Sequence, residues 1–94
     1  MAVDQSRLSA DEKRLLEIAL NNDSIKNELS GREYVITSVR ATNDSGSSPW
    51  IDNGSVSIDL LYPNGYVDYH LVALVDTQNN TVPFTVREKP APPL

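Results

Sequence analysis

One histidine, His70, stands two residues after Asp68 and eleven after Asp59. If the chain folds back on itself between Asp59 and Asp68, the three fall on the same side of a two-strand ribbon. Two carboxylates and an imidazole can hold a divalent cation, or the acids can keep the ring charged as a pH switch. The plainer reading is a favourable cross-strand pair. A closed metal site wants a further ligand, and no His-Glu-x-x-His supplies one. Asp59, Asp68 and His70 are therefore the metal candidates in a chain for which no cofactor is expected.

Other chemistry finds little footing. Serines are plentiful, but the sole histidine would serve them from mid-strand, and neither a nucleophile elbow nor a phosphate-cradling glycine loop occurs. Without cysteine there is no disulfide, thiol nucleophile or thiolate metal site. A glycosidase-like pair could be drawn at will from thirteen acids, and that freedom removes its meaning. The expectation is a protein that is not an enzyme and has no catalytic residues.

The elements that position these residues are legible in Ser55 to Val86. Val56, Ile58, Leu60 and Tyr62 alternate with Ser57, Asp59 and Leu61, the period of a strand with one buried face. Pro63-Asn64-Gly65 follows, and Asn-Gly is the characteristic pair of a two-residue type I′ hairpin. A loop of Asn64 and Gly65 sets Tyr62 opposite Val67, Leu60 opposite Tyr69, Ile58 opposite Leu71 and Val56 opposite Ala73. A slip of one would set Leu60 against Asp68 and mix charge into the core. Asp76 to Asn80 is the next turn, after which Val82, Phe84 and Val86 alternate. Val75 faces Phe84 across a two-residue loop or Val82 across a four-residue one, with the same face buried. Pro83 cannot donate to a ladder, which puts this strand at the sheet edge.

Upstream, Ser9-Ala10-Asp11-Glu12 reads as a capping box that starts a helix. Leu15, Leu16, Ile18, Ala19 and Leu20 give it an apolar stripe. Asn21-Asn22-Asp23 interrupts the pattern, so the segment to Leu29 is either a second short helix or the remainder of one bent helix. Gly31 suits a left-handed stop. Glu33 to Ala41 is β-branched and aromatic and reads as the first strand, with Tyr34 and Ile36 on one side and Val35 and Val39 on the other. Residues 42–54 form a long connection around Trp50-Ile51. Residues 1–7 read as a disordered N-terminal segment, 8–87 as a single domain and 88–94, with Pro90, Pro92 and Pro93, as a tail or linker. The fold class is α+β: an N-terminal interrupted helix packed on a four-stranded antiparallel meander.

This order resembles PepSY-like domains, small cystatin-like modules of secreted or envelope-attached proteins. Leu16 to Asn22 leading into Ile25 to Leu29, then Glu33 to Val39, then Leu74 to Val82 carry the likeness. The family has Gly in the final turn, where this chain has Asn79-Asn80, a pair that can also take positive φ. The resemblance implies a non-catalytic extracytoplasmic module that binds or restrains a partner, sometimes a protease.

The totals bound the rest. A formal charge of −5 without a basic cluster speaks against nucleic acid and anionic membranes as partners. No apolar run of membrane-spanning length and no signal-peptide pattern is present, so no membrane insertion is expected. Absence of cysteine fits either side of a membrane, the cytoplasm included. Asn-x-Ser/Thr triplets start at Asn22, Asn43, Asn53 and Asn79, as glycosylated surface loops or as chance products of Asn- and Ser-rich sequence.

Three apolar residues fall on the wrong side. Leu61, Val72 and Leu74 share the solvent face of Asp59, Asp68 and His70, where a two-layer domain should be polar. Either the Trp50-Ile51 loop folds over them, or they are scattered exposed apolar residues of the ordinary kind, or a protein partner or second copy covers them. Tyr66, beside the first hairpin turn, is the aromatic left over once the core claims Tyr62 and Tyr69. Leu61, Val72, Leu74, Trp50 and Tyr66 are accordingly the candidate partner-binding residues of an extracellular or envelope module. The competing reading is a small-molecule or metal-ion site around Asp59, Asp68 and His70.

Overall fold

A computed structural model describes residues 3–41 and 54–90. Two helices pack on one face of a four-stranded antiparallel open sheet, in the element order α1 (Ala10–Asn21), α2 (Asp23–Leu29), β1 (Glu33–Ala41), β2 (Gly54–Leu61), β3 (Val67–Asp76) and β4 (Thr81–Glu88). Strand order follows the chain, β1-β2-β3-β4, so β4 is an edge.

The helix boundaries are set locally. The Ser9 hydroxyl accepts from the Glu12 amide at 3.2 Å and the Glu12 carboxylate accepts from the Ser9 amide at 2.9 Å, closing the capping box. Asn22 holds an extended backbone that ends α1 and caps α2, its side-chain oxygen accepting from the Ile25 amide at 3.2 Å. The interruption is thus a true break between two helices. Gly31, at φ 73°, takes the left-handed turn that leads into β1.

Leu15, Leu16 and Ala19 of α1 and Ile25 and Leu29 of α2 meet Ile36, Val39, Val56, Ile58, Leu60, Leu71, Ala73 and Val75 of the sheet in one core. The pairs Leu60–Tyr69, Ile58–Leu71 and Val56–Ala73 stand in the expected register.

Three irregularities in the ladders decide which other side chains face the helices. Between the pairs Ile36–Ile58 and Ser38–Ser57, β1 carries Thr37 as an extra residue. That extra residue lets both Ile36 and Val39 point inward, resolving the mixed pattern of this strand. Between Leu60–Tyr69 and Leu61–Val67, β3 carries Asp68 as the extra residue. The hairpin here has a three-residue loop: Gly65 donates to the Tyr62 carbonyl at 2.9 Å and Tyr62 donates to the Tyr66 carbonyl at 2.8 Å. Gly65 alone has positive φ, so the expected type I′ turn is replaced by the wider form that Pro63 favours, with its φ preset for the first corner. Tyr62 therefore does not lie opposite Val67 and is exposed.

In the third, Leu74 pairs with Phe84 and Asp76 with Thr81, so Val82 and Pro83 together stand against Val75. The loop is the four-residue one, but the spare residue reverses the rest of the strand. Val82 packs toward the core, whereas Phe84 and Val86 turn to the helix-free face instead of the buried one. The N-terminal segment carries local order among its described residues. Gln5–Arg7 form a 3-10 turn capped by Asp4, and the Val3 amide donates to the Ile36 carbonyl at 2.7 Å on the edge of β1. At the other end, Glu88 belongs to β4 and pairs with His70.

Candidate functional site

The helix-free face is built from alternate residues of each strand, and its rows can be read from the register. One row runs Arg40, Ser55, Leu74, Phe84; the next Ser38, Ser57, Val72, Val86; the next Val35, Asp59, His70, Glu88. In these rows the β1–β2 half is mostly polar, with Ser38, Ser55 and Ser57 at its centre and Val35 as its one apolar residue. The β3–β4 half holds two directly paired apolar couples, Leu74–Phe84 and Val72–Val86, with Phe84 43 % and Val86 46 % exposed. Cross-strand couples of this kind are the unit by which sheets gain packing energy, here on the side away from the core.

Of the expected partner-binding residues, Val72 and Leu74 are brought together in this patch. Leu61 is half-buried at the hairpin end, separated from them by the Asp59–His70 row. Tyr66 is 74 % exposed beside the turn, its amide donating to Asn64 Oδ1 at 3.1 Å. Trp50 lies outside the described residues. Phe84 and Val86 were not among the sequence candidates. Pro83 was the available signal, because a proline inside a strand marks either an edge or a bulge, and here it marks both.

The polar constellation divides. His70 Nδ1 lies 2.6 Å from Asp59 Oδ1 across the β2–β3 pair. Asp68 goes elsewhere, since as the extra residue of its bulge it reaches Arg32, just past α2, at 2.8 Å, and Lys89 at 3.3 Å. Arg32 and Lys89 stand 5.7 and 6.0 Å from the centre of the Tyr69 ring, and Arg32 also donates to the Leu61 carbonyl. The Arg32 hydrogen bond, helped by the Tyr62 hydroxyl and Lys89, holds the Asp68 carboxyl below the ordinary range. Among the described residues no three His, Cys, Asp or Glu side chains come close enough to share a metal ion.

Three arginines fasten the helices to the sheet. Arg14 of α1 donates to the Thr77 carbonyl at 2.9 Å and to Asn80 Oδ1 at 3.3 Å. Arg87 of β4 donates from Nε to Glu28 of α2 at 2.9 Å. Arg32 makes the third tie. The turn that Arg14 grips is organised by buried Asp76, whose carboxylate accepts from the Asn79 side chain at 2.7 Å and from the Gln78 and Asn79 amides. Asn80 takes the left-handed conformation at φ 56°, the role that Asn can fill in place of Gly.

Open clefts lie near this turn and near the first hairpin. One is lined by Glu17, Ile18, Asn21, Asn22 and Asn80, another by Gly31, Arg32, Glu33, Leu61 and Pro63. Neither assembles a nucleophile with a base. No described helix is long and apolar enough to cross a membrane. The fold and surface define a two-layer α+β domain with helices on one face and an amphipathic sheet surface on the other. No protein-family model, curated protein or solved structure matches the chain.

Proposed function

We propose that the chain is a non-catalytic binding or structural module that engages a protein partner or a second copy through the helix-free face of its sheet. The observation that carries this reading is the pairing of Leu74 with Phe84 and of Val72 with Val86 on that face. A small domain that spends four large apolar side chains away from its core has a use for them beyond its own stability. The helix-then-meander order, the Asn22 break and the Asp76 turn support a likeness to PepSY-like, cystatin-like modules. With that likeness comes an extracellular or cell-envelope setting.

The test compares stabilities. Leu71→Ala in the core should cost about 2–5 kcal/mol of unfolding free energy. Val72→Ser and Val86→Ser should each stay within about 0.5–1 kcal/mol of the parent in the isolated chain. Outer-face losses as large as the core loss would show that these side chains serve the domain itself, and the reading would fall.

A further inference from the structure

The sheet has two edges, and they are not alike. At β1 the Val3 amide is bonded to the Ile36 carbonyl, so the chain's own N-terminal segment lies on that edge. β4 has no neighbour beyond it among the described residues, and none of its eight residues is buried.

The direction of its backbone groups follows from the ladder. Tyr62 and Tyr66 are hydrogen-bonded across the first hairpin, and Thr37 of β1 donates from its hydroxyl to the Ser57 carbonyl at 3.2 Å. Backbone groups alternate in direction along an antiparallel strand, so Val56, Ile58 and Leu60 direct theirs toward β3. Their partners Ala73, Leu71 and Tyr69 answer them. His70, Val72 and Leu74 then turn to β4 and meet Glu88, Val86 and Phe84. That leaves Thr85 and Arg87 with amide and carbonyl directed off the sheet.

We infer that β4 pairs antiparallel with β4 of a second copy, across a two-fold axis at Val86. This rests on the reading of the sheet as a contact surface and names both its edge and its occupant. Three features select this register. Thr85 faces Arg87 of the second copy and the reverse, which uses every outward donor and acceptor between Phe84 and Glu88. Pro83, which has no donor, lies just beyond the paired stretch, so it ends the pairing without interrupting it. Shifting the axis to Thr85 would set Pro83 against an outward Arg87 and forfeit a bond on each side.

The side chains agree with the backbone. Val86 meets its own copy at the axis on the helix-free face, so the couple Val72–Val86 continues across the axis into the same couple of the second copy. Charge permits it as well: the chain carries −5 overall, yet Arg87 and Glu88 cancel within the paired stretch. The contact is small beside the ~800 Å² per partner of a standard stable interface, so the dimer is weak and concentration-dependent.

The chain has no cysteine, which makes single-cysteine variants unambiguous. Residues directly opposed in a non-hydrogen-bonded antiparallel pair are close enough for a disulfide. With copper phenanthroline as oxidant, Val86→Cys should give a covalent dimer in most of the chain. Ser57→Cys, on the same face but two strands inward, should give little. In parallel, sedimentation of the parent should shift toward twice the monomer mass between micromolar and millimolar concentration. Thr85→Pro, which removes an outward amide and the hydroxyl that accepts from Arg87 Nη1 at 3.3 Å but no bond to β3, should keep the parent's circular dichroism and abolish that shift. A parent monomeric at 1 mM, or an uncrosslinked Val86→Cys, overturns the edge pairing. Crosslinking through Ser57→Cys in place of Val86→Cys also overturns it while leaving the broader reading of the face intact.

Discussion

Gly54 passes so close beneath Leu15 that no side chain fits between them. A Cβ on Gly54 would lie 2.4 Å from Leu15 Cδ1 and 2.2 Å from the Arg40 carbonyl oxygen, the second an obstacle of backbone that cannot rotate away. The glycine is what lets α1 settle onto the start of β2. Gly54→Ala is expected to destabilise the domain by about 1–3 kcal/mol or more, measured by urea unfolding. Pairing it with Leu15→Ala should recover little, because the Arg40 carbonyl remains in the way.

Asp76 gives the acid limb of stability. Its carboxyl is lowered chiefly by the hydrogen bond from the Asn79 side chain, then by the Asn79 and Gln78 amides, against an opposing cost of burial. A carboxyl held lower in the folded than in the unfolded chain contributes stability that is fully present above the unfolded value. That contribution is lost as pH falls from the ordinary value near 3.8 through the folded one. Asp68, lowered chiefly by Arg32, acts in the same window. Unfolding between pH 7 and 2 should show a drop confined to the acid side, and Asp76→Asn should make it shallower, leaving the share that Asp68 contributes. A parent whose stability is level through that range would contradict the assignment.

Asn80 separates turn chemistry from clamp chemistry. It holds φ at 56° and also accepts from Arg14. Asn80→Ala loses both and should cost about 1–2 kcal/mol, most of it from the left-handed backbone. Asn80→Gly keeps the backbone and loses only the Arg14 contact, so thermal unfolding should place it nearer the parent than Asn80→Ala. The reverse order would make the arginine contact the larger of the two.

What the sequence made legible was local chemistry. The capping box at Ser9, the stop at Gly31 and the extent of β1 depend on neighbours a few residues away, and the alternation from Val56 to Leu60 fixed its register with Tyr69, Leu71 and Ala73. What stayed hidden was where a single residue would be set aside. Thr37, Asp68 and the Val82–Pro83 step each shift a strand by one, and each choice is made by the core across the sheet. Strict period-2 reading therefore sent Phe84 and Val86 to the wrong face and kept Asp68 beside His70. The hairpin held a clue in Pro63, whose fixed φ suits the first corner of an ordinary turn and competes with the two-residue Asn-Gly form.

That logic makes one deletion informative. Between the pairs Leu74–Phe84 and Asp76–Thr81, β4 has two residues where β3 has one. Excising Pro83 leaves Val82 opposite Val75 and Phe84 still opposite Leu74, so the faces of Phe84 and Val86 do not change. Nuclear Overhauser contacts between the Phe84 ring and the Leu74 methyls should survive, and the melting temperature should hold or rise as the ladder becomes continuous. What should change is the edge: with the proline gone the exposed row of backbone groups lengthens, and self-association at a given concentration should increase. Phe84 moving to the helix side in the deletion variant would mean that the proline itself, and not the residue count, sets which way β4 faces.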